Sequence, residues 1–166
     1  TVLTAADIPG INVFGLAIQD QPVLAGEKVR MMGDAVALVA AESIDIAEEA
    51  LLKIKVDYEE LPGVFTIEDA LKDGASKVHD KGNLLQHTQV RKGDVAEGFA
   101  KSHLIVENNY ETQRVDHAYI EPETSIAHVD YNGVLNVWTS TQYPFRDRRQ
   151  IAPVVNIPVN KVRVIQ

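Results

Sequence analysis

The sequence has no cysteine among its 166 residues. That excludes a disulfide, a thiolate metal site and an iron–sulfur cluster held by this chain. It also lacks any apolar run near the ~20 residues that a membrane-spanning helix requires. Its first residues, TVLTAADIPG, have neither the basic start nor the apolar stretch of a secretory signal. These absences make the cytoplasm the expected compartment, with no membrane partner. Phosphate-cradling and nucleophile motifs are missing as well: there is no G-x-x-x-x-G-K-[ST], no G-x-G-x-x-G and no G-x-S-x-G. Basic charge is scarce, with 16 Lys and Arg against 24 Asp and Glu and a formal net charge of −8. Residues 1–83 hold 15 acidic and 7 basic side chains, the remainder nine of each. The acidic half repels phosphate backbones, so no nucleic-acid partner is expected.

What is present is an ordinary globular composition, 45% hydrophobic and 24% charged. The change in charge near mid-chain suggests two structural units. TVLT reads as a strand, AADIPG as a turn, and residues 11–27 as an extended loop. KVRMM and AVALVAA read as two strands split by Gly33-Asp34, the second continuously apolar as if buried on both faces. Ser43 suits a helix N-cap, with Ile44, Ala47, Leu51 and Ile54 on one stripe. KIKVDYEELP alternates up to Pro62, which gives strand, helix, strand and a right-handed crossover.

IEDALK is a short helix, Gln86–Val90 a strand, and Asp94 the cap of VAEGFAKS. Residues 103–115 alternate long enough for one extended strand. TSIAHVD and VLNVWTS form a hairpin, its Asn132-Gly133 suited to a tight primed turn. A helix around Arg146–Ala152 follows, with Pro144 near its start and Pro153 disturbing it. KVRVIQ then ends the chain as a strand with nothing to pair or cover it. The expected class is α/β (α+β), and both ends read as cut.

The stretch DHAYIEPE, residues 116–123, is the densest group of potential ligands. His117 and Glu121 would share one face of a helix, but Pro122 and the flanking pattern favour a strand. On a strand His117, Tyr119, Glu121 and Glu123 share one face. One histidine without thiolates is a poor metal set, so a buried or interfacial polar strand is the preferred reading. His128, among apolar strand residues, is a core or surface histidine. Arg146, Arg148 and Arg149 form a basic cluster that is a solvated helix face or an anion site. The segment STQ, 140–142, ends a strand where a backbone and a Gln amide could meet a ligand.

Six segments in order, VLTAADIPG, PVLAGEKVRMMGDAVALVAAES, IKVDYEELPGV, VRKGDVAEGFA, HAYIEPE and WTSTQ, resemble the large subunit of the xanthine dehydrogenase and aldehyde oxidase family of molybdenum hydroxylases. The resemblance covers nearly the whole chain. It implies a mixed-sheet α/β hammerhead domain over residues 1–102 and, over 103–166, the first hairpin, helix and strand of the molybdopterin-binding domain. It further implies a molybdenum cofactor (molybdopterin) whose metal is held by the pterin dithiolene sulfurs. Iron–sulfur clusters and FAD are expected on other domains or subunits, and these with the remaining molybdopterin-binding domain would be the partners.

By the same resemblance Val115, His117, Glu121 and Gln142 are pocket-wall residues near the cofactor. Xanthine-oxidising members have Gln where this chain has Val115. The activity implied is oxidation of a purine, another N-heterocycle or an aldehyde with water as oxygen source. The 166 residues alone are expected to be inactive and to retain no cofactor, since the family's catalytic Glu lies beyond them. The alternative reading is a stand-alone, non-catalytic α/β protein-interaction module.

Overall fold

Proline and glycine keep the first strands short. β1 (Val2–Leu3) stops at Thr4, whose hydroxyl and backbone N–H both donate to the Asp7 carboxylate (2.9 and 2.7 Å), closing a single 3-10 turn before Pro9 and Gly10. β2 (Val13–Phe14) and β3 (Gln21–Pro22) pair antiparallel, and β1 pairs antiparallel with β4 (Leu38–Val39). The computed structural model describes all residues, Thr1–Gln166. They form two units, one of Thr1–Leu61 with Pro122–Gln166, the other of Pro62–Glu121.

α1 (Ile44–Lys53) begins where expected, because Ser43 Oγ accepts from the Ile46 N–H at 3.3 Å. Asp45 in its first turn and Lys53 in its last complement the helix dipole. Its apolar stripe is not buried: Leu51 is half exposed and Ile44 more so.

The second unit holds two short helices. α2 (Ile67–Leu71) is capped by Thr66 Oγ1 and α3 (Val95–Lys101) by Asp94, each accepting from the backbone N–H three residues on at 3.0 Å. Asn83 gathers the loop after α2: its Oδ1 accepts from Val78, and its Nδ2 donates to the carbonyls of Ala70 and Ser76.

The chain returns to the first unit as a hairpin, β5 (Ser125–Val129) and β6 (Leu135–Thr139), with Val137 opposite Ala127. α4 (Pro144–Val154) follows, with Pro144 in its first turn, where a missing N–H costs nothing. β7 (Val162–Ile165) then lies parallel to β6, Val164 opposite Val137. The result is a mixed sheet in the order β5-β6-β7 with α4 packed on it. Val137, Ala152 and Val162 are buried between sheet and helix, and Leu24 and Ala25, just after β3, are buried too. Two hydrogen bonds tie α4 to the N-terminal strands: Ile11 N–H donates to Pro153 C=O at 2.9 Å, and Gly15 N–H to Gln150 Oε1 at 3.1 Å.

Several expectations from the sequence fail. Residues 28–32, 54–62, 86–90 and 103–115 form no strands, so the crossover expected around α1 is absent. The strand–helix–strand unit is instead β6–α4–β7. Ala35–Ala41 is not buried on both faces: only Leu38–Val39 pairs, and Leu38 is half exposed. KVRVIQ is not unpaired, since β6 holds one edge of it and α4 covers it.

The hairpin turn is not primed either. Gly133 N–H donates to Asp130 C=O at 2.9 Å and only Gly133 has a positive φ, +71°. A primed turn would need a positive φ at Asn132 also. Tyr131 and Asn132 are the centre of a type I turn followed by a left-handed glycine.

No helix is long and apolar enough to cross a membrane. The accessible surface is 14963 Å², against roughly 8,100 Å² for a self-contained monomer of this mass. Large apolar side chains account for much of the excess, among them Phe65, Tyr110, Ile120 and Phe145.

Candidate functional site

β6 delivers a run of short polar side chains to the end of the sheet. The strand stops at Thr139 and Ser140-Thr141-Gln142 leads into α4. Thr141 Oγ1 donates to the Asp147 carboxylate in the first turn of α4 and accepts from the Tyr143 N–H at 2.9 Å. These two bonds hold the 140–142 segment across the helix entry. On the other side Ser125 Oγ donates to Thr139 Oγ1 at 2.7 Å, a cross-strand pair at the open end of the hairpin.

A cleft of about 820 Å³ lies here, within the first unit. Hydroxyl, amide and aromatic groups line it, including Ser140, Gln142, Gln166, Trp138 and Tyr143, with Glu123 at one side. Thr141 and Ser125 have committed their hydroxyl protons. Thr139, Ser140, Gln142 and Gln166 have not, and are among the groups able to bond a ligand.

The four residues expected in a pocket wall separate. Gln142 lines the cleft; Val115, His117 and Glu121 do not. Those three lie in the second unit, exposed and without regular structure. The reading of DHAYIEPE as a polar strand with one shared face is therefore corrected. Ala118 at φ +50°, rare for a residue with a Cβ, breaks the alternation directly after His117. No group of three or more His, Asp or Glu side chains is placed to hold a metal ion. His128 lies on β5 opposite Asn136 with an exposed side chain. Sequence reading missed Ser140 and Gln166. The first was legible in the STQ run; the second reaches the cleft only because β7 lies parallel to β6.

A hydroxyl- and amide-rich wall, with one carboxylate (Glu123) at its side, suits the polar edge of a pterin. A cofactor whose metal is held by its own sulfurs asks the protein for such hydrogen bonds and not for metal ligands. The cleft is also within the size range of small-molecule and cofactor sites. The donor set therefore fits molybdopterin, with Ser140, Gln142 and Gln166 as the groups that would hold it. When bound, that group would supply the redox chemistry of a hydroxylation.

Comparison with known proteins gives the class to which this fold belongs. Residues 78–166 match the molybdopterin cofactor-binding domain, and residues 1–62 the aldehyde oxidase and xanthine dehydrogenase a/b hammerhead domain. The chain belongs to the xanthine dehydrogenase and aldehyde oxidase family of molybdenum hydroxylases.

It is 42% identical over 165 residues to the nicotinate dehydrogenase large molybdopterin subunit of Eubacterium barkeri, covering 99% of this chain and 39% of that one. It is 42% identical over 164 residues to a probable xanthine dehydrogenase subunit of Bacillus subtilis, covering 99% of this chain and 22% of that one. Among solved structures, the aldehyde oxidoreductase of Desulfovibrio gigas superposes with a TM-score of 0.90 at 28% identity, over 99% of this chain and 19% of that one. Quinoline 2-oxidoreductase of Pseudomonas putida superposes at 0.84 and 34% identity, over 99% of this chain and 22% of that one. The chain thus spans about two-fifths or less of the length of these relatives.

Proposed function

We propose that this chain serves in a molybdenum-dependent hydroxylase that oxidises an N-heterocycle, a purine or an aldehyde with water as the oxygen source. The observation that carries this is the cleft at the end of β6, where Ser140 and Gln142 stand with uncommitted hydrogen-bonding groups inside the segment that matches the cofactor-binding domain. The names of the relatives supply the substrate classes: nicotinate and quinoline are N-heterocycles, xanthine is a purine, and aldehydes complete the set.

Val115, His117 and Glu121 belong to the same pocket wall in this reading, brought to the cofactor in the assembled enzyme. The division into a hammerhead domain, 1–102, and the start of the molybdopterin-binding domain, 103–166, is part of the proposal. So are iron–sulfur and flavin partners elsewhere in the assembly. The large exposed apolar surface supports a role within a larger assembly, because a chain of this mass functioning alone would cover far more of it.

The 166 residues by themselves neither retain cofactor nor turn over substrate in this reading, since the cleft is open and the family's catalytic Glu lies outside them. The test is to purify the whole gene product that contains this chain, measure molybdenum, and assay xanthine, nicotinate, quinoline and an aldehyde. Stoichiometric molybdenum with oxidation of one of these is expected. A whole protein without molybdenum or oxidase activity would overturn the proposal. Turnover by the isolated 166 residues would overturn their expected inactivity.

A further inference from the structure

Asparagine is among the chemically labile residues, and the turn between β5 and β6 carries the chain's one Asn-Gly pair, Asn132-Gly133, with both residues exposed. The side-chain amide of Asn132 bonds to nothing, whereas its backbone is tied twice. Its N–H donates to Asp130 Oδ1 at 2.9 Å, and Lys161 Nζ donates to its carbonyl at 2.9 Å. Gly133 follows with open space where a Cβ would lie, and its N–H is held by the Asp130 carbonyl at 2.9 Å. A free amide followed by a residue without a side chain lets the next backbone nitrogen reach Cγ. Every other asparagine is followed by a residue with a side chain. Asn136 is also buried, its amide bonded to Asp130 and Val134, and Asn12 and Asn83 use both ends of theirs.

We propose that Asn132 is a site of spontaneous deamidation, with water as the reagent, and that Lys161 steers the product toward isoaspartate. Rotation of the Asn132–Gly133 peptide first breaks the Gly133–Asp130 bond, which costs little at an exposed turn tip. The Gly133 nitrogen gives its proton to solvent and bonds to Asn132 Cγ. The Cγ–Nδ2 bond breaks, ammonia leaves, and a succinimide ring is closed; nothing is oxidised or reduced. Water then opens the ring at one of its two carbonyls. Addition at Cγ breaks its bond to the Gly133 nitrogen and gives aspartate. Addition at the former main-chain carbonyl breaks the other bond to that nitrogen and gives isoaspartate, with the main chain running through Cγ. Lys161 donates to the oxygen of this second carbonyl. Its ammonium draws electrons from the carbon that water attacks, and pairs with the carboxylate formed there. Either product sets a second negative charge beside Asp130. The inference concerns the first unit alone and does not depend on the hydroxylase reading.

The test incubates the whole protein that contains this chain at mildly alkaline pH and samples it over days. Trypsin cuts after Arg114 and Arg146, so Asn132 and Asn136 share one peptide and Asn136 is the internal control. Electron-transfer fragmentation locates the lost amide and tells isoaspartate from aspartate. Loss at Asn132 is expected about tenfold or more faster than at Asn136, because opening the turn tip costs less than opening β6. Asn132→Ser should abolish the acidic form that ion exchange resolves with time. Lys161→Gln should lower the share of isoaspartate; Lys161 is exposed, so its loss leaves no buried gap. Equal rates at Asn132 and Asn136, or no loss at Asn132, overturns the proposal. An isoaspartate share unchanged in Lys161→Gln overturns the role of Lys161.

Discussion

Asn136 donates from Nδ2 to Oδ2 of Asp130 at 3.3 Å, beneath the turn that joins β5 to β6. Asn136 is the one buried polar residue of the sheet, and its Nδ2 also reaches the Val134 carbonyl. The other Asp130 oxygen accepts from the backbone N–H groups of Asn132 and Val134 at 2.9 and 3.0 Å. The backbone bond from Val134, followed by those from Asn136 and Asn132, holds the Asp130 carboxyl below the usual aspartate range. A carboxyl lowered in the folded state contributes stability that is fully present above its ordinary value of about 3.9. That contribution is lost as pH falls through the lowered folded value. Asp130→Asn should therefore be less stable than wild type at pH 7, and the two should converge in acid. Urea midpoints across pH 2.5–7 check this, and a gap that stays constant across the range would refute it.

Asn12 acts as a strand made of one side chain. Its Nδ2 donates to Leu24 C=O at 2.7 Å and its Oδ1 accepts from Leu24 N–H at 3.0 Å, which fixes the most deeply buried large side chain. Asn12→Ala leaves both backbone groups without partners and should cost about 1–3 kcal/mol. Asn12→Asp should cost more than Ala, because a carboxylate would face the Leu24 carbonyl. Chemical denaturation of both variants gives the order, and Asp proving milder than Ala would contradict the geometry.

Gly10 has no room for a side chain. A Cβ there would lie 1.9 Å from the Pro153 oxygen and 2.8 Å from that of Val154, both backbone atoms of α4. Gly10→Ala must push the N-terminal segment off the helix end and break the Ile11–Pro153 bond; a loss of about 1–3 kcal/mol is expected. A thermal midpoint equal to that of wild type would mean that the two segments do not touch in solution.

Backbone amides of residues 103–124 donate to no acceptor in the chain, whereas Val137 is paired on both sides. Hydrogen exchange by mass spectrometry should show peptides from 103–124 exchanging orders of magnitude faster than those covering β6. Protection of 103–115 in the isolated chain would indicate a strand after all. In the whole protein, protection gained there would support the proposed assembly.

Gln142 carries the cofactor side of the proposal. In the whole protein Gln142→Ala should reduce molybdenum retained after dialysis several-fold, the effect of one lost ligand bond. The far-UV circular dichroism should stay unchanged if the fold is intact. Full molybdenum content in the variant would remove Gln142 from the pocket wall.

Three helix starts were legible because each depends on one side chain and a backbone N–H three residues away: Ser43, Thr66 and Asp94 all cap as their neighbours in sequence dictate. Strands depend on a second strand that local sequence does not contain. KIKVDYEELP and 103–115 alternate correctly, yet no strand of this chain lies beside them, so alternation alone did not make them strands. The turn was misread one residue out of register. Asp130 and Gly133 are the first and last residues of a type I turn, positions that favour Asp and Gly, and the Asp130 side chain settles the choice over the primed alternative. The cleft was half legible. STQ drew notice as a strand end, but Gln166 joins it through the parallel pairing, which no short window reveals.

β6 has its two neighbours by routes of unequal length. β5 reaches it across one tight turn, whereas β7 must travel the whole of α4 before it can lie down. Chain closure over a short loop is far quicker than over a long one. The hairpin needs the shorter closure, and β6 is the strand that both neighbours share. Gln166, alone among the groups of the polar cleft, takes its place only when that crossover closes.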